Sequence, residues 1–103
     1  MARRNDYIAK IDKFIGNKIV SLRLARGLSR KQLSEAVGIT GQQLSKYEKG
    51  KNKVSIGRLI LLSKALGERV SYFYEGLETE VTYQLPIDQE QMCRQVVRNF
   101  GSV

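Results

Sequence analysis

The sequence of 103 residues contains no histidine, one cysteine and one proline. The first two scarcities each close a class of function. Without histidine there is no imidazole to serve as a general base near neutral pH and none to ligate zinc. The lone Cys93 can form neither an intramolecular disulfide nor a thiolate cluster. Beside Met92 it reads as a small, partly buried hydrophobe. No glycine-rich phosphate loop is present and no carboxylates pair in a catalytic setting, so the chain does not read as an enzyme. No metal and no cofactor are expected. Long apolar runs are missing too: the longest is "LILL", residues 59–62, against the ~20 a membrane-spanning helix needs. The N-terminal "MARRNDYIAKID" carries positive charge with no apolar stretch behind it, so no secretory signal is expected. A reduced, cytoplasmic protein with no membrane partner fits these absences.

Positive charge is what the chain has in quantity. Eighteen Lys/Arg stand against ten Asp/Glu, for a net charge of +8 and an isoelectric point near 9.9. The excess is localised. Residues 1–58 hold 14 basic and 4 acidic side chains, net +10, whereas residues 59–103 hold 4 and 6, net −2. A polyanionic partner for the first part of the chain is the direct implication.

The apolar residues recur at helical spacing, which predicts an all-α protein. Ile8, Ile11, Ile15, Ile19, Leu22 and Ala25 predict a long first helix over 7–26, closed by Gly27. Ser29 followed by Gln32 has the spacing of a capping box, Leu33 and Val37 form a buried pair, and Gly38 supplies a left-handed stop. The same signals then repeat: Thr40 with Gln43, Leu44 with Tyr47, and Gly50. Ser55 can cap a fourth helix carrying Ile56, Leu59, Ile60, Ser63 and Leu66, up to Gly67, and "SYFYEGL" predicts a short fifth whose Tyr72 and Phe73 close the core. Residues 80–86 read as an extended connector ending at Pro86, and 88–100 as a last helix carrying Met92, Val96 and Val97.

Two short helices joined at Gly38-Ile39-Thr40 make a helix-turn-helix. Ser34 is small where the pair must approach closely, and Gly38 lacks a Cβ where the chain turns. A generic pair of antiparallel helices would satisfy part of this, so the outward face matters more. With Leu44 toward the core, Gln42, Lys46 and Lys49 fall within about 40° of the opposite direction at 100° per residue. Glutamine can bond an adenine edge through two hydrogen bonds, and lysine can donate to guanine O6 and N7. Gln42 lies in the first turn, the end of a reading helix that reaches bases. Gln43, three residues after Thr40, can either complete the cap or turn to the groove. Glu48 reads as the partner of a nearby cation, since a carboxylate facing phosphate would repel it.

The stretch "GLSRKQLSEAVGITGQQLSKYEKG" resembles the helix-turn-helix of the Cro/repressor (Xre-type) family of bacterial and phage transcription regulators. The similarity runs from Ile19 to Tyr74. "FIGNKI", "QQLSKYEKGKNKVS" and "SYFYEG" resemble an alphaproteobacterial subgroup of that family. The resemblance implies a five-helix repressor-like DNA-binding domain over 19–74, with its helix-turn-helix at 30–49. Residues 1–18 extend helix one, and 75–103 supply a connector and a C-terminal helix available for dimerisation. It implies base reading by Gln42 and Lys46, with Gln43 as a third candidate. Phosphate contacts are implied for Thr40, Lys49, Lys51 and Lys53. Arg30 stands where many members carry a phosphate-binding glutamine, and arginine can serve the same anion. Gly41 replaces a larger residue, so any base contact from that position is lost.

The function implied is sequence-specific binding of a double-stranded DNA operator by a transcriptional regulator, a repressor acting as a homodimer. The alternative is an antitoxin-type autorepressor whose C-terminal region also binds a toxin protein.

Overall fold

The computed structural model describes residues 6–77; the expected connector at 80–86, the helix at 88–100 and Cys93 lie outside them. Four α-helices follow one another, α1 (Asp6–Ala25), α2 (Arg30–Val37), α3 (Gly41–Glu48) and α4 (Ile56–Leu66), and a 3-10 helix (Val70–Tyr74) closes the set. No strand occurs among the described residues. The fifth helix is thus a 3-10 turn rather than an α-helix. Its five residues are held by tertiary packing of Phe73, which is fully buried, and not by length.

The helix boundaries follow the local chemistry. Ser29 Oγ accepts from Gln32 N at 3.1 Å while the Gln32 amide oxygen accepts from Ser29 N at 2.8 Å, so the capping box is complete. Ser55 Oγ accepts from Arg58 N at 3.2 Å at the head of α4. Gly38 and Gly67 end α2 and α4 with φ of 73° and 68°, in the left-handed region where a Cβ would crowd the carbonyl.

The core is one cluster. Ile19, Leu33, Leu44, Leu62 and Phe73 are fully excluded from water, with Leu22, Val37, Tyr47, Leu59 and Leu66 around them. Burial of each large side chain stabilises the fold by about 1.5–3 kcal/mol before chain entropy is set against it. Helix α1 packs against α3, α4 and the 3-10 helix, and α2 packs against α3 and α4. The Arg58 guanidinium donates to Val37 O at 3.5 Å, which ties the head of α4 to the tail of α2.

Two helix faces differ from the expected ones. The buried residues of α1 are Asp12, Gly16, Ile19, Leu22 and Arg23, while Ile8, Ile11 and Ile15 are half-buried and Ala25 is exposed. The centre of that stripe holds a glycine because the end of α3 comes against it there. In α4 the buried residues are Leu59, Leu62, Ser63 and Leu66, whereas Ile56 and Ile60 are 75% and 40% exposed. The run Ile-Leu-Leu around Leu61 is apolar on all sides, so periodicity could not choose a face; contact with α2 and the 3-10 helix does.

Candidate nucleic-acid interface

Helix α3 has only eight residues, too few to hold its shape alone in water. Its position is therefore set by its anchors. Leu44 and Tyr47 are buried at 0% and 7% exposure, and Thr40 Oγ1 accepts from Gln43 N at 3.0 Å to start the helix. Two glycine contacts press the far end of α3 onto α1. A Cβ at Gly16 would overlap the carbonyl oxygens of Tyr47 and Glu48, the second at 2.6 Å, and one at Gly50 would lie 2.7 Å from the Lys13 Cα. Gly50 also has φ of 71°, so it serves both as the turn out of α3 and as the close contact.

Glu48 is the only carboxylate of α3, and its side chain is 1% exposed. Arg23 Nε donates to its Oε2 at 2.7 Å and Arg30 Nε to its Oε1, also at 2.7 Å. Arg23 Nη1 donates in addition to Leu28 O at 2.9 Å. One carboxylate thus joins α1, the head of α2 and the end of α3. Two arginines on one glutamate leave the group net positive, and the Arg30 side chain remains 52% exposed. The pairing of Glu48 with a cation was legible in the sequence; the identity of its partners was not. Arg23 lies four residues after Ile19, on the buried stripe, and a charged residue at a stripe position is the signal that could have found it.

With Glu48 turned inward, the outward surface of α3 carries no negative charge. Gln42, Lys46 and Lys49 are exposed and, with the half-buried Ser45 and with Lys51, line one shallow concavity. Lys51 N donates to Lys46 O at 2.9 Å, so the loop folds back against the helix and brings its side chain to the same surface. Ser45 joins them from the flank of α3, and its residue type alone gave no signal of it. Thr40 is exposed at the cap, and Lys53 is exposed further along the loop, outside the concavity. Gln43 is half-buried on the flank of α3. Its amide does not return a bond to the Thr40 backbone as Gln32 does to Ser29, so the cap of α3 is one-sided. Arg30 sits apart on α2, held by Glu48. Among the described residues no cluster of acidic or cysteine side chains could hold a metal ion, and no helix is long and apolar enough to cross a membrane.

A family model described as "Helix-turn-helix" matches residues 19–73, more than half of the chain. The protein belongs to the helix-turn-helix family of Xre type. An uncharacterized HTH-type transcriptional regulator of Rickettsia conorii is 54% identical over 105 residues, which covers 100% of this chain and 83% of that protein. A second such regulator, from Sinorhizobium fredii, is 43% identical over 67 residues, 65% of this chain and 47% of its own length. These sources agree with the alphaproteobacterial subgroup. Among solved structures, the restriction-modification controller protein C.AhdI of Aeromonas hydrophila superposes with a TM-score of 0.59 at 26% identity, over 60% of this chain and 94% of that one. The clp gene regulator ClgR of Corynebacterium glutamicum superposes with a TM-score of 0.65 at 26% identity, over 72% and 96%. The relatives of this helix-turn-helix protein are regulators rather than enzymes.

Proposed function

We propose that this protein is a sequence-specific DNA-binding transcriptional repressor that binds its operator as a homodimer. The observation that carries the reading is the composition of the outward face of α3. It presents an amide and ammonium groups to one concavity while its single carboxylate is buried and neutralised by two arginines. In the major groove Gln42 and Lys46 read base edges, with Gln43 at the flank. Thr40, Lys49, Lys51 and Lys53 take phosphates, and Arg30 offers its Nη groups to the backbone while Glu48 holds its Nε. One reading helix addresses only a few base pairs, so a two-fold pair of helices about 34 Å apart supplies the length of a usable operator. The regulator relatives support the DNA-binding part of the reading.

Selection of bound fragments from a random duplex pool tests it. The expected product is a near-palindrome with half-sites one helical turn apart; an enriched sequence without symmetry would remove the dimer. On the selected operator, Gln42→Ala is expected to cost about 1–3 kcal/mol in binding, and much less on random duplex. Equal losses on both would leave Gln42 with a structural role only. Lys51→Ala is expected to weaken binding to all sequences alike and to reduce the slope of log affinity against log salt by about one. An unchanged slope takes Lys51 off the phosphate path.

A further inference from the structure

Eight glycines lie within the described residues, and the fold accounts for six. Gly27, Gly38, Gly50, Gly67 and Gly76 have φ between 68° and 87°, where a side chain is strained. Gly16 has ordinary helical backbone, but a Cβ there would overlap the α3 carbonyls. Gly41 and Gly57 remain. Neither has positive φ, and a Cβ built on either meets no atom of the described residues within 4 Å. Both are exposed. Each lies in the first turn of a helix, where glycine loses more conformational freedom on folding than alanine and contributes no packing. Among the described residues, nothing asks for them.

Their positions have one thing in common. Gly41 is the first residue of α3, directly before Gln42, and Gly57 is the second residue of α4. The two turns bracket the stretch that contains Lys46, Lys49, Lys51 and Lys53. From this we infer that Gly41 and Gly57 are clearance residues: the missing Cβ at each lets the duplex lie flush against the helix backbone. The inference rests on the DNA-reading assignment above. At Gly41 the neighbour is a base-pair edge, because the adjacent Gln42 points into the groove; its absent side chain helps set specificity by setting the depth to which α3 enters. At Gly57 the neighbour is the sugar–phosphate backbone that the lysine loop follows. Alanine at either position fits the protein and collides with the partner, so stability and binding change in opposite directions. A merely structural role cannot produce that combination.

The test uses the full chain as Gly41→Ala and Gly57→Ala, titrated with the selected operator and with a random duplex of equal length. Thermal unfolding is followed alongside. Tm is expected to hold or to rise by about 2–5 °C for each variant, as for glycine replaced at a compatible backbone position. Gly41→Ala is expected to lose about tenfold in operator affinity and less than about threefold on random duplex. Gly57→Ala is expected to lose about fivefold on both alike. Affinity within twofold of the unsubstituted protein removes that glycine from the interface, and a lower Tm assigns it to the fold instead. If the unsubstituted chain binds neither duplex, the DNA-reading assignment itself fails, which is a separate result.

Discussion

Glu48→Leu is expected to lower the unfolding free energy by roughly 3–5 kcal/mol, the cost of leaving a buried charge without its partner. Leucine approximates the volume of the side chain, so the loss isolates charge from cavity. The stranded group is Arg23, whose side chain is 9% exposed and keeps only its bond to Leu28 O. Arg30 is half-exposed and can turn to water, so it adds little to the loss. The double variant Arg23→Met/Glu48→Leu removes both buried charges and is expected to recover most of the stability, because an apolar pair of similar volume replaces a buried ion pair at little cost. Denaturant unfolding of the three proteins provides the comparison. A single variant that loses less than about 1 kcal/mol, or a double variant no better than the single, would mean that packing rather than charge holds this junction.

The second large effect is expected at Gly16. Valine there should destabilise the protein by roughly 3 kcal/mol, at the upper end of what overpacking costs in a filled interior. The colliding atoms are backbone carbonyls of Tyr47 and Glu48, which cannot rotate away as a side chain would. Relief requires the end of α3 to lift from α1. That movement opposes the second contact, Gly50 on Lys13, and disturbs the seat of Tyr47. Gly16→Ala should give a smaller loss in the same direction. The check is a shift of the denaturant midpoint at constant slope; an unfolding free energy within about 0.5 kcal/mol of the parent would show that the helices can separate freely there.

Features set by a few neighbouring residues were legible in the sequence. The hydroxyl caps at Ser29, Thr40 and Ser55 and the left-handed stops at Gly38 and Gly50 depend on spacings of three or four residues, and all five are found. The outward face of α3 was legible for the same reason, since Leu44 and Tyr47 fix which way it turns. What escaped were choices made between distant segments. Arg23 and Glu48 are 25 residues apart, and only the meeting of α1 with α3 makes them a pair. Ile56 and Ile60 look as suited to burial as Leu62, and the packing of α2 and the 3-10 helix decides against them. Gly16 has no side chain to mark it in a pattern of apolar residues, and only the carbonyls opposite it give the reason for a glycine there.

Within the eight residues of α3, the side chains that fasten the helix are Leu44, Tyr47 and Glu48, and those that meet the outside are Gln42, Ser45, Lys46 and Lys49 just beyond the end. The two sets share no member. Exposed substitutions away from caps and contacts usually change stability by no more than about 0.5 kcal/mol. The outward set can therefore vary from one descendant to another without any compensating change in the core. On the DNA-reading role proposed above, a lineage built on this frame could retarget itself to a new operator one side chain at a time, passing only through folded intermediates.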